Sequence, residues 1–156
     1  MANIAGREVK NGDLGVLVAG VLAFIFSLFP WFGIDLGPGF GSVSRNAWGV
    51  GFLAWFPILL SIVVTAFAAT RIFAPQVIPS SLPAGPNVLI LGGAGFAALL
   101  GIIKLLIGYH SIDRKAGIYL GVIALIAQAV FAFLNFRESG EKLPEFKGGT
   151  DAPPAA

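Results

Sequence analysis

Few side chains in this sequence could carry out chemistry. The chain has no cysteine, which excludes disulfides, thiolate metal sites and cysteine nucleophiles. Its one histidine, His110, gives little support to a metal cluster or a histidine-paired catalytic dyad. The stretch GPGFGSVS is rich in glycine, but it lacks the lysine of a phosphate-binding loop and a predicted strand before it. We therefore expect no enzymatic activity, no cofactor and no metal site.

Two polar side chains lie inside long apolar runs of the sequence. Lys104 follows Ala97 and Gly101 on one helical face, about 9 Å from the centre of its run. Its stem can extend to the lipid headgroups, or its ammonium can be held inside the protein by Asp35 or exposed carbonyls as a functional group. Gln128 lies near the middle of the last run, where an amide can hydrogen-bond across helices. No carboxylate lies deep in any run, which counts against proton- or ion-coupled transport.

Long apolar runs must position these two side chains. The chain has 156 residues, of which 56% are hydrophobic and 12% are charged, against about 25% charged in a soluble domain. Four runs reach the roughly 20 residues that a spanning helix needs, at about 14–33, 48–70, 87–109 and 116–136. Asp13, Asn87 and Asp113 each stand just before an apolar run, where a short polar side chain can cap the free N–H groups of a helix. We therefore predict an all-α integral membrane protein, an antiparallel bundle of four transmembrane helices built from two hairpins. Residues 13–136 form this domain, after a short segment 1–12 and before a disordered tail 137–156.

The basic residues predict an orientation. Six of them lie on the side of both predicted termini, against three on the other side. The positive-inside rule therefore places both termini in the cytoplasm and the protein in the plasma membrane. The net charge of +2 is too small to suggest nucleic-acid binding. The proline-rich segment 71–86 is read as an extended linker, with a membrane-surface or partner-binding segment as the alternative.

Small residues recur at helical spacing in the runs and predict close helix packing. Helices in a bilayer associate through such residues because lipid already solvates large apolar side chains. The predicted packing positions are Gly15, Ala19, Ala23 and Ser27 in the first run, Ser61, Thr65 and Ala69 in the second, Gly93, Ala97 and Gly101 in the third, and Gly117, Gly121 and Ala124 in the fourth. Each helix therefore has a face suited to contact a neighbour.

The second hairpin resembles a known family. An apolar, glycine-rich helix is followed by a short polar link and then by GVIALIAQAVFAFLNF and RESG. This layout resembles the small four-span actinobacterial membrane proteins typified by the mycobacterial 34 kDa antigenic protein, with Gln128 as the matching glutamine. The resemblance covers about residues 88–140, and the first hairpin by layout alone. It implies a setting in the cell envelope or division machinery and no established activity.

Two functions follow as expectations. The first is a non-enzymatic membrane scaffold or accessory subunit of a larger complex, with the lipid bilayer and other membrane proteins or further copies of itself as partners. The alternative is a small transporter or channel, possible as an oligomer, with Lys104 and Gln128 facing inward. A dry monomeric bundle would count against the alternative.

Overall fold

The computed structural model describes residues 2–4, 7–82 and 84–141. Within them the chain is mainly helical, with helices α1 (Asn11–Ser27), α2 (Phe52–Phe73), α3 (Pro86–Ile107) and α4 (Ala116–Ser139). The last three are long and apolar enough to cross a membrane, and α1 is a shorter apolar helix of 17 residues. These helices identify a helical membrane protein.

Helix α1 ends earlier than the first apolar run. The predicted span reached Gly33, but the helix stops at Ser27, three residues before Pro30. Proline disfavours helical geometry at the residue before it and supplies no backbone N–H, so the helix ends ahead of it. The chain then enters a strand after Trp31, which is fully buried.

The helices form a closed ring. Helix α1 packs against α2 and α4, and α3 packs against the same two helices. One apolar cluster, around Ile58, Ile118 and Leu125, fills the end of the ring nearer Trp31. A second, around Val16, Val64 and Ile90, fills the other end. The ring therefore brings the middle of every helix to a common interior.

A small sheet stands at one end of the ring. Strand β1 (Ala2–Ile4) pairs with β2 (Arg7–Val9) before α1, apart from this sheet. Strand β3 (Phe32–Asp35) is the centre of the sheet, with β4 (Ser42–Arg45) on one edge and β5 (Asp113–Arg114) on the other, all antiparallel. The sequence analysis expected loops here. Its all-α prediction therefore holds for the bundle and misses the sheet.

The helix starts and the connecting segments also differ from expectation. Asp13 lies inside the first turn of α1, Asn87 follows Pro86 inside α3, and Asp113 belongs to β5, so none stands at an N-cap position. Between α2 and α3 the proline-rich segment contains a 3-10 turn, Pro75–Val77. Helix α4 continues three residues past the predicted boundary at 136, and most of the predicted disordered tail, residues 142–156, lies outside the described residues.

Candidate functional site: polar side chains within the bundle

Gln128 joins three helices in the middle of the bundle. It lies on α4 and is fully buried. Its Oε1 accepts a hydrogen bond from the Ser61 hydroxyl of α2 at 2.7 Å. Its Nε2 donates to the Thr65 hydroxyl of α2 at 2.8 Å and to the Val16 carbonyl of α1 at 3.3 Å. Because both ends of the amide have partners, the arrangement is that of a structural tie rather than an open binding group.

A glycine on α1 makes room for this tie. A Cβ atom on Gly20 would lie 1.8 Å from the Thr65 Oγ1 and 2.7 Å from the Gln128 Nε2. Any side chain at position 20 would therefore displace the amide or the hydroxyl. Sequence reasoning had identified Gln128 and placed Ser61 and Thr65 among the small residues of α2, but it did not identify Gly20. Gly20 could be identified only by knowing that it faces polar side chains of two other helices.

A second polar network links the four helices at the end away from the sheet. The Arg71 guanidinium of α2 donates to the Asp13 carboxylate of α1 and to the Asn87 side-chain oxygen of α3. Asn135 of α4 donates to the same Asp13 oxygen at 2.7 Å. Asp13 and its hydrogen-bond donor Asn135 are both buried. Burial makes it costly to break the Asp13–Arg71 ion pair, because a charge would then be left unpaired away from water. This network therefore fixes the relative positions of the helix ends.

Glu141 extends the network to the start of α3. It follows Gly140, which ends α4 in the left-handed conformation with φ of 71°. The Glu141 carboxylate accepts from the backbone N–H groups of Asn87 at 3.1 Å and Val88 at 3.2 Å, and from the Asn87 side-chain nitrogen at 3.1 Å. A carboxylate stabilises these otherwise unpaired N–H groups at a helix N-terminus. A residue beyond α4 thus performs the capping that sequence analysis assigned to Asn87.

Lys104 contacts aromatic rings rather than a carboxylate. It is 7% exposed, and its Nζ lies 5.4 Å from the Phe32 ring centre and 4.9 Å from that of Tyr109. Such cation–π contacts are worth about 0.5–2 kcal/mol depending on desolvation. The sequence offered a stem reaching the headgroups or an ammonium held within the protein. The second arrangement is observed, at the sheet end of the bundle, with ring faces in place of the suggested partners.

The suggested pairing of Lys104 with Asp35 is wrong. The Asp35 carboxylate instead lies 3.6 Å from the Lys115 Nζ, and its side chain is exposed on β3, outside the four helices. The reason is the alternation of side chains along β3. Phe32, which contacts Lys104, and Asp35 are three residues apart, so their side chains point to opposite faces of the strand.

The predicted packing residues lie at contacts within the chain. Ala19, Ala23, Ala97 and Ala124 are buried, and so is Ser27, which accepts from the Trp48 indole N–H at 3.0 Å. Cβ atoms built at the five glycines would each lie within 3 Å of another element: Gly15 meets Phe131, Gly93 meets Val64, Gly101 meets Leu125, Gly117 meets the Pro30 carbonyl and Trp31, and Gly121 meets Trp31. The α4 glycines therefore receive an indole ring rather than a helix backbone.

Comparison with known proteins does not assign the chain to a family. Comparison with protein families, with curated proteins and with solved structures found no match. The family resemblance of the second hairpin stays a prediction. Among residues 2–4, 7–82 and 84–141, no group of three or more histidine, aspartate, glutamate or cysteine side chains could hold a metal ion.

Proposed function

We propose that this protein is a non-enzymatic integral membrane scaffold or accessory subunit that binds other membrane proteins, or further copies of itself, through its outer helix surface. The observation that carries the proposal is an open groove between α1 and α4. Its volume is about 430 Å³, and its lining is almost entirely apolar. The groove includes Gly15, Ala19 and Ala124, which are among the small residues that predicted helix packing.

The shape of the groove suits a transmembrane helix. Small side chains at its floor permit a close approach of another backbone, which is how helices gain contact in a bilayer. Val18 and Leu22 of α1 and Ile123 of α4 border it, with 49%, 39% and 62% of their surfaces exposed. Ala97 and Gly101 do not line this groove, because they are used inside the bundle. The proposed partner meets the α1–α4 side.

Transport has less support. Gln128, one of the two side chains suggested to line a path, has hydrogen-bond partners at both ends of its amide. Lys104, the other, lies at the sheet end with its ammonium in contact with two aromatic rings. A solute path past Gln128 would require these bonds to break.

The membrane setting is part of the same proposal. We take α1 as a fourth span, because it packs into the same ring and its exposed side chains, such as Val21 and Ile25, are apolar. Its 17 residues extend about 26 Å, slightly less than the roughly 30 Å hydrocarbon core. Both termini then face the cytoplasm, in the plasma membrane of a source related to the actinobacterial family.

The test is co-purification with a groove variant. The tagged chain is isolated in nanodiscs made directly from native membranes, and the accompanying membrane proteins, or the chain's own oligomers, are quantified. Ile123→Trp, which fills the groove, should reduce the recovered partner severalfold. Val63→Trp is the matched control, because Val63 is 55% exposed on α2 and outside the groove.

Circular dichroism of both variants checks that the helices remain intact. The proposal fails if the wild-type chain is recovered alone and monomeric. It also fails if the two variants reduce partner recovery equally.

A further inference from the structure

The hairpin of β3 and β4 has one apolar and one polar face. In the antiparallel register Ile34 lies opposite Val43, and Asp35 lies opposite Ser42. Because directly paired residues point to the same side and successive residues to opposite sides, Ile34 and Val43 share one face. Asp35, Ser42 and Ser44 share the other. The hairpin is thus amphipathic, although sequence analysis read this segment as a loop.

The apolar face is exposed in the isolated chain. Ile34 is 44% exposed and Val43 is 57% exposed. In the hairpin loop Phe40 is 78% exposed, between Gly39 and Gly41, whose positive φ values of 85° and 75° allow the tight turn. Exposed apolar side chains that lie together in this way mark a surface that a membrane or another protein covers.

The position of the hairpin relative to the end of α3 indicates what covers this surface. Phe32 contacts Lys104, so β3 begins at the height of the last turns of α3. Ile34 is two residues further on, at most about 7 Å away along the strand. The end of α3 at Ile107 is about 4.5 Å beyond Lys104. Ile107 is 67% exposed and lies on a helix that is long and apolar enough to span a membrane. The apolar face of the hairpin therefore continues the lipid-facing surface of α3.

Charge on the same face fits a phospholipid boundary. Arg45 and Arg114 both pair with Phe32 in the sheet register and therefore lie on its apolar side. Arg114 binds the Leu105 carbonyl at 2.7 Å, whereas the Arg45 guanidinium has a contact of 3.5 Å with the Gly49 carbonyl. Arginine commonly buries its stem in apolar surroundings and extends its guanidinium to lipid phosphate.

We propose that the β3–β4 hairpin is an interfacial lipid anchor. Ile34, Val43 and Phe40 insert among the outer parts of the acyl chains, Arg45 binds phospholipid phosphate, and the face of Asp35, Ser42 and Ser44 meets water. Amphipathic helices at this boundary bury their apolar face about 5–10 Å into the region where headgroups meet acyl chains, and we expect a similar depth for the hairpin. The anchor also compensates for the early end of α1, because the hairpin follows that helix directly.

The absence of natural cysteines allows a direct test by labelling. Full-length Val43→Cys and Ser44→Cys chains are labelled with the fluorophore NBD and placed in vesicles of phosphatidylcholine and phosphatidylglycerol in equal amounts. The label on Val43→Cys should emit at shorter wavelength, be quenched by nitroxide-labelled lipid and resist iodide. The label on Ser44→Cys, one residue away, should show the opposite behaviour.

The Ile34→Cys and Asp35→Cys pair repeats the comparison on β3, so the test survives if one variant fails to fold. Access of iodide to both labels of each pair would overturn the anchor. Protection of the apolar-face label from iodide and from nitroxide lipid would also overturn it, because a protein would then cover the face. In the same vesicles Arg45→Gln should lower the local enrichment of phosphatidylglycerol by about fivefold. An unchanged enrichment would refute the role of Arg45.

Discussion

Replacing Gln128 with leucine should lower the free energy of unfolding of the bundle, and the loss can be divided among individual hydrogen bonds. The substitution removes the bonds to Ser61 and Thr65 and the bond to the Val16 carbonyl. Interhelical hydrogen bonds in membranes average about 0.6 kcal/mol each, so three of them give roughly 2 kcal/mol. Leucine has nearly the same volume as glutamine, which keeps the cavity contribution small. We expect the free energy of unfolding to fall by about 2 kcal/mol.

A double-mutant cycle isolates one of these bonds. Gln128→Leu, Ser61→Ala and their combination are unfolded in bicelles by steric trapping, and the coupling energy is calculated. We expect about 0.6 kcal/mol, with an upper bound near 1.7 kcal/mol. Thr70→Ala replaces Ser61→Ala in the control cycle, because the Thr70 hydroxyl bonds to the Ala66 carbonyl of its own helix.

The control cycle should be additive within error. The reasoning would be refuted if Ser61→Ala coupled to Gln128→Leu no more strongly than Thr70→Ala does. It would also be refuted if Gln128→Leu alone made the bundle more stable, since the amide would then be a cost to folding retained for another purpose.

Three further predictions concern the other polar and glycine contacts, each read as a change in unfolding free energy in bicelles. Gly121→Ala should destabilise by about 1–3 kcal/mol, because the added Cβ would lie 2.6 Å from the buried Trp31 indole. The control Gly92→Ala, which places no atom within 4 Å of the added Cβ, should be neutral or slightly stabilising, and equal effects of the two substitutions would contradict this packing. Asp13→Asn should cost about 3 kcal/mol by leaving the Arg71 charge without its carboxylate, and a neutral result would show that solvent already screens the pair. Lys104→Met should change stability by less than about 1 kcal/mol, because the loss of the cation–π contacts is opposed by removal of the cost of burying a charge; a large loss would indicate an ion pair.

The long apolar runs made three of the helices predictable, because run length and hydropathy act locally along the chain. The end of α1 was less accessible, since Pro30 lies within the apolar run and ends the helix before the hydropathy falls. Gln128 was identified as an interhelical amide from its position alone. Its partners depend on which helix faces which, and a single sequence does not encode that arrangement locally.

The sheet and the end network were missed for a related reason. Strand β5 lies about eighty residues from its partner β3, and a segment as short as Asp113–Arg114 carries no periodic signal of its own. Asp13 was read as a helix cap, a common role for aspartate next to an apolar run. The predicted hairpin placed the start of α1 and the end of α2 on one side, but pairing Asp13 with Arg71 also required the rotation of each helix about its axis.

The capping of α3 by Glu141 sets an order of events during synthesis. Because α3 precedes Glu141 in the chain, its Asn87 and Val88 amide groups are made before their final acceptor. The carboxylate can reach them only when α4 lies beside α3 and its C-terminal end returns to the start of that helix. The first turn of the third helix is therefore finished by one of the last described residues.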